Sequence, residues 1–341
     1  QTDLFGNVVA SSEKAKVKSE SNKQGPELIA AEDIDKGYQV DKNINNVEHK
    51  YELLDSEEKI RQFVDSIIHE KEICFDTETT GIDANQAELV GLSFSVKPHE
   101  AYYIPCPADR DETLKILHQL SQLFNSPTIT WVGQNIKYDM LMLKWYGIEL
   151  KGNIYDTMLV HFVVEPDGKR SMDLLSAQYL QYEPVHIEEL IGKKGKGQGT
   201  MRDVEIEKIK EYAAEDADIT LQLKHVLNPQ LKEKEVEKVF YEVENPLVKV
   251  LTDMEFEGVK VDETFLKDYS KVLEIDAKQA EESVYKQAGV RFNLASPKQL
   301  GEVLFDKLQL DPSAKKTKTG QYQTGEDVLQ KLAVKGHTIV E

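Results

Sequence analysis

Ile73-Cys74-Phe75-Asp76-Thr77-Glu78-Thr79-Thr80 is an apolar run that turns into two carboxylates one residue apart. Ile73, Cys74 and Phe75 read as the start of a buried strand. Side chains on a strand repeat every two residues, so Asp76 and Glu78 share a side, about 7 Å apart along the chain. Two acids leaving an interior strand together repel each other and resist desolvation unless positive charge sits between them. A hard divalent cation with oxygen ligands meets that need.

Outward from this strand, a helix is expected over Ser56–Ile68. Strands follow at Glu88–Val96 and Ala101–Pro105, joined as a hairpin through Lys97–Glu100. A helix over Asp111–Phe124 and an apolar strand over Thr128–Val132 come next. This order predicts an α/β fold, a mixed sheet with helices on its faces. Beyond Ser171 the chain reads as almost all helix, with a long helix through Ile206–Val226 ending near Asn228-Pro229. Helical periodicity resumes over Glu233–Glu257 and continues beyond a turn at Glu257–Asp262 to about Gly289. Ser296-Pro297 marks a further helix start, and Lys315–Gly320 reads as a polar turn. No repeat of solenoid length is present.

The 341 residues suffice for two domains, and 40% hydrophobic with 30% charged residues describes an ordinary soluble globular protein. Residues from about Gly6 to Asn46 are rich in Ser, Glu, Lys, Asp and Asn, behind a small hydrophobic island at Gln1–Gly6, and residues 1–50 read as a disordered linker. No run reaches membrane-span length and no signal peptide is evident, so no membrane partner is expected. Cys74 and Cys106 sit in strand-like contexts without metal or disulfide spacing, which points to a reduced, cytosolic compartment. The net charge of −19 argues against a basic-patch nucleic-acid binder, though not against a nuclease whose carboxylates hold metal ions.

Two other acids stand in comparable settings. Gly133-Gln134-Asn135-Ile136-Lys137-Tyr138-Asp139 follows a strand and opens a helix. Tyr212-Ala213-Ala214-Glu215-Asp216-Ala217-Asp218 lies inside the long helix, where Tyr212 and Asp216 share a face and the alanines allow close approach. Four carboxylates from separated segments, with a phenol, form the set that two-metal phosphodiester hydrolysis requires.

CFDTETTG, GQNIKYDML and YAAEDADIT resemble, in order, the three exonuclease motifs of the 3′–5′ exonuclease domain in bacterial DNA polymerase I. That domain belongs to the DEDD superfamily and has an RNase H-like fold. The resemblance implies that Asp76, Glu78 and Asp216 hold one divalent ion, and that Asp76 and Asp139 hold a second. It implies Mg²⁺, with Mn²⁺ or Zn²⁺ as alternatives. Tyr212, four before Asp216, matches the tyrosine subtype and would orient the attacking water. Ile82 takes the place of an apolar wedge beside the terminal base, and Gln134, Asn135 and Tyr138 resemble residues lining the single-stranded 3′ end. Ile82 as plain core and Asn135 as a helix cap are the structural alternatives.

From Val243 onward, Val243–Val248, Met254–Asp262 and Asn293–Phe305 resemble the start of the polymerase portion of the same family. The resemblance thus divides the chain into a linker (1–50), an exonuclease domain (51–228) and an all-α segment beginning the polymerase domain (229–341). Nothing resembles the palm carboxylates or the fingers helix, so the chain is expected to be a fragment that does not polymerise. Gln1-Thr2-Asp3-Leu4-Phe5 resembles the short peptide by which bacterial replication proteins bind the sliding clamp, through Gln1, Leu4 and Phe5. Gly192–Thr200 lacks the spacing of a phosphate loop and reads as a basic loop beside the cleft, or as a solvated turn.

The expected function is metal-dependent 3′–5′ proofreading exonucleolysis of single-stranded or frayed DNA ends, in the bacterial cytoplasm. The alternatives are a non-catalytic DNA- or clamp-binding scaffold and a stand-alone DEDD exonuclease acting on RNA.

Overall fold

The computed structural model describes residues 38–340, so the clamp-like peptide with Gln1, Leu4 and Phe5 lies outside the described residues. In chain order, β1 (Lys42–Asn43), β2 (Lys50–Leu53) and α1 (Glu57–Ile67) precede β3 (Glu72–Thr79). The hairpin β4 (Leu89–Lys97) and β5 (Glu100–Pro105) follows, then α2 (Arg110–Gln119), α3 (Ser121–Phe124) and β6 (Thr130–Gly133). Next come α4 (Ile136–Trp145), β7 (Asn153–Asp156), α5 (Thr157–Val164), α6 (Met172–Leu180), β8 (Tyr182–Glu183), α7 (Ile187–Ile191) and α8 (Ile206–Glu233).

The main sheet runs β2-β5-β4-β3-β6-β7, with β3, β4 and β5 antiparallel and the outer pairings parallel. This is the mixed sheet with flanking helices of an RNase H-like fold. Alternation along β3 sorts its side chains between two cores. Ile73 and Phe75 pack with Phe63, Phe94, Leu117 and Trp131, under α1 and α2. Cys74 packs on the other side with Val132, Val160, Leu175 and Leu221, under α5, α6 and α8. Asp76 and Glu78 have the parity of Cys74 and therefore face α8. The α8 alanines, Ala213, Ala214 and Ala217, are fully buried. They let the helix lie close on β3, β4 and β5.

Several elements depart from expectation. The short strands β2 and β7 do not stand out in the sequence: β2 is a partly exposed edge and β7 is only Asn-Ile-Tyr-Asp. The single helix expected over Asp111–Phe124 is interrupted at Leu120, the cap of both α2 and α3. Residues 38–50, expected in the linker, carry β1, which pairs with β8, and the first residue of β2. The long helix does not stop at Asn228-Pro229 but runs to Glu233, because Leu227 and Leu231 continue its buried stripe beyond the proline.

The compact unit that holds the sheet extends to Gly258. After a short α9 (Glu237–Val239) and a π-helical turn (Phe240–Glu244), α10 (Asn245–Glu257) packs on α4. Lys137 pairs with Glu255 and Lys144 with Asp253, while the Trp145 and Phe256 rings meet at 4.5 Å. The second unit, from Val259, contains α11 (Glu263–Ala288), α12 (Pro297–Gly301) and α13 (Glu326–Val334). Its own core gathers Ala288, Val303, Leu304, Phe305, Leu332 and Ile339.

Candidate metal centre and active site

Asp76, Glu78 and Asp216 converge across the β3–α8 contact: each offers a carboxylate oxygen, and all these oxygens lie within 4.8 Å of one another. Glu78 and Asp216 are buried and Asp76 is half-buried. Burial pushes the Asp76 carboxyl up to about 7. Burial, then the neighbouring Asp76, raises Glu78; burial, Asp76 and Glu78 raise Asp216. Among the described residues, neither the Glu78 nor the Asp216 carboxylate accepts a hydrogen bond from the protein. Such a set of close, undonated oxygens fits a divalent cation, which would reverse these shifts.

Asp139 stands apart from this group. β6 borders β3 only from Glu72 to Cys74, so beyond Cys74 that edge of β3 is open. Asp139, from the first turn of α4, fills the gap: its Oδ1 accepts from the Thr77 amide at 3.0 Å and from Thr77 Oγ1 at 2.5 Å. Burial and then Asp76 raise its pKa as well, so Asp139 feels the cluster without joining the three-oxygen group. Thr77, between the two acids of β3, was not singled out from the sequence, because its role depends on strand register.

Tyr212 lies one helical turn before Asp216 and packs against a core of Val90, Tyr103, Met201, Ile209 and Ala213. Burial, followed by Asp216, Glu78 and Asp76, raises its phenol well above the usual value, which keeps it a protonated donor. Gly91, opposite Glu78 in the ladder, has a steric requirement: a Cβ there would fall 2.2 Å from the Tyr103 hydroxyl.

The other expected residues differ in their engagement. Ile82 is 85% exposed, which removes the plain-core alternative. The Gln134 amide donates to the Arg170 carbonyl at 3.0 Å and its oxygen accepts from Thr157. Asn135 is exposed and occupies the left-handed region with φ 58°, but its side chain does not cap α4. That task falls to Asp156, which accepts from the Ile136 amide at 2.9 Å and from Met158 at 2.8 Å, so one carboxylate caps both α4 and α5. Asp156 was missed from the sequence; its signal was an acid directly before Thr157-Met158-Leu159. The Tyr138 hydroxyl lies 2.7 Å from Thr79 Oγ1 and donates to the Gly81 carbonyl at 2.5 Å, tying α4 to the turn that carries Ile82.

Residues 51–232 match the family profile of 3′–5′ exonuclease domains. The chain belongs to this exonuclease family. Residues 263–341 of this exonuclease-family chain match DNA polymerase family A. DNA polymerase I of Pseudomonas aeruginosa is 42% identical over 274 residues, covering 76% of this chain and 30% of the relative. DNA polymerase I of Rhizobium leguminosarum is 39% identical over 288 residues, covering 77% of this chain and 28% of the relative. The chain thus spans less than a third of the length of these curated relatives. A solved structure, the POL domain of Pol1 from M. smegmatis in complex with DNA primer-template and dNTP, shares the fold. It gives a TM-score of 0.68 at 24% identity, over 85% of this chain and 46% of that one. Among the described residues, no helix is long and apolar enough to cross a membrane.

Proposed function

We propose that the chain is the proofreading module of a bacterial DNA polymerase I, removing nucleoside monophosphates from a single-stranded or frayed 3′ end of DNA in the cytoplasm. The observation that carries this reading is the convergence of three carboxylates on one point with no protein donor to satisfy two of them. Asp76, Glu78 and Asp216 would hold one divalent ion, and Asp76 with Asp139 a second, Mg²⁺ being the expected metal. When bound, such a pair lowers the pKa of water and stabilises the leaving oxygen.

The chain's own residues do the remaining work. Tyr212 keeps its proton and donates to the incoming water, in the manner of the tyrosine subtype. Thr77 fixes the Asp139 carboxylate before any ligand arrives, which removes a reorganisation cost. Ile82 projects an apolar surface on which a terminal base can stack. Gln134, Asn135 and Tyr138 line the approach, Gln134 and Tyr138 through positions already locked by protein contacts.

The test is degradation of a mispaired primer with Mg²⁺ or Mn²⁺, comparing wild type with Asp76→Ala. A loss of several kcal/mol of stabilisation predicts at least about 10²-fold slower cleavage by the variant. Equal rates would sink the catalytic reading. Faster cleavage of a matched RNA than of DNA would replace DNA as the substrate.

A further inference from the structure

We propose that the loop Gly192–Gly199 is a phosphate-contacting arm that holds the single strand behind its 3′ end, through Lys193, Lys194 and Lys196. This rests on the exonuclease reading and extends it to a substrate-binding element outside the acidic cluster.

The loop is exposed along its arc and fixed at its base. Its neck is closed by the Gly199 amide donating to the Ile191 carbonyl at 2.8 Å. Inside the arc, the Gln198 amide donates to the Gly195 carbonyl at 3.2 Å and its side chain to the Gly192 carbonyl at 3.1 Å. Directly after the neck, the turn Met201–Asp203 opens with a capping box between Thr200 and Asp203. Met201 is buried in the same small core as Tyr212, and Ile191 packs against it. Arg202 donates to the Cys106 carbonyl at 2.6 Å and to the Leu89 carbonyl at 2.8 Å. Leu89 is the ladder partner of Thr79, the residue after Glu78. The base of the loop is therefore anchored to the helix that carries Tyr212 and Asp216 and to the strand pair that carries Glu78.

The arc has no evident structural task. Residues 192–199 are all exposed, and the three lysines make no ion pair among the described residues, although Glu188 and Glu189 precede them on α7. Three uncompensated cations within four residues are conspicuous in a chain of net charge −19. Gly195 and Gly197 have φ of 145° and 102°, with nothing within 4 Å of an added Cβ. No protein neighbour excludes a side chain there. The glycines instead supply backbone angles that L side chains rarely adopt, and they leave open space for a partner to approach. A polyanion is the partner that matches unpaired lysines beside a site which itself repels phosphate until metal binds.

The test measures binding of a short 5′-labelled single-stranded oligodeoxynucleotide in EDTA, where cleavage is suppressed, as a function of salt. Each lysine that ceases to neutralise a phosphate should reduce the slope of log K against log salt by about 0.7, so K193A/K194A/K196A should reduce it by about 2. The arginine triple K193R/K194R/K196R should restore the slope. K267A/K271A/K278A, which removes the same charge from α11, should leave it at the wild-type value. A slope unchanged in the loop triple, or equally reduced in the α11 triple, overturns the proposal. The primer assay is read separately: wild-type cleavage with an unchanged slope sinks only the loop, whereas absent cleavage sinks the exonuclease reading itself.

Discussion

Three acids lie buried within one turn of α8, and they have opposite fates. Glu215 accepts from the Tyr182 hydroxyl at 2.6 Å and from the Val185 amide at 2.7 Å. Asp218 accepts from the Tyr51 hydroxyl at 2.9 Å and from the His99 amide at 2.8 Å. Asp216, between them, faces Asp76 and Glu78 with no donor among the described residues. Burial alone therefore does not mark a functional carboxylate. Two of these acids are satisfied by the fold and hold it together; the third is left for something the fold does not supply.

The largest contrast should appear in activity. Asp76→Ala should slow primer degradation at least about 10²-fold, yet in metal-free buffer its melting temperature should equal or exceed that of wild type, because it relieves repulsion among buried acids. Calorimetry in EDTA checks this, and a clearly less stable variant would show that the cluster is structural. Glu215→Ala should do the reverse. It strands the Tyr182 hydroxyl and the Val185 amide, costing about 2 kcal/mol or more of stability in urea unfolding, while folded molecules keep activity.

Metal sharpens the contrast further. Mg²⁺ or Mn²⁺ at about a hundred times its dissociation constant should stabilise wild type by about 2.7 kcal/mol, and Asp76→Ala by far less. Tyr212→Phe should retain the fold and lose about tenfold in rate, the worth of one hydrogen bond to the water.

The last contrast concerns pH. Burial raises Glu215 from its ordinary 4.5 to about 7. Folding then favours its protonated form, so that contribution is complete below pH 4.5 and is lost as pH rises through about 7. Glu215→Gln should accordingly lose stability less steeply than wild type across that window, by at most about 1.4 kcal/mol per pH unit. Parallel curves for the two proteins would remove Glu215 as the cause.

Much of this was legible in sequence, and the reasons divide cleanly. Continuous apolar runs placed β3, β4 and β6, because their residues are buried on both faces of the sheet. The residues Asp76, Glu78 and Asp216 stood out through their apolar or alanine surroundings, which a surface acid lacks. β2 was illegible because it is a partly exposed edge, and β7 because only Ile154 and Tyr155 of its four residues are apolar. Asp156 and Thr77 were illegible for another reason. Their partners lie 20 or more positions away, and only the sheet register brings Asp156 to Ile136 and Thr77 to Asp139.

The alternation along β3 has an evolutionary consequence. Asp76 and Glu78 look toward α8 while Thr77, between them, holds Asp139 of α4. Deleting one residue from the strand before Asp76 would exchange these outlooks, turning both acids from α8 and presenting the threonine to it. A lineage can thus silence this centre by a single substitution and regain it by reversal. It cannot shift the centre along the strand in steps, because every intermediate would have the acids on the wrong side.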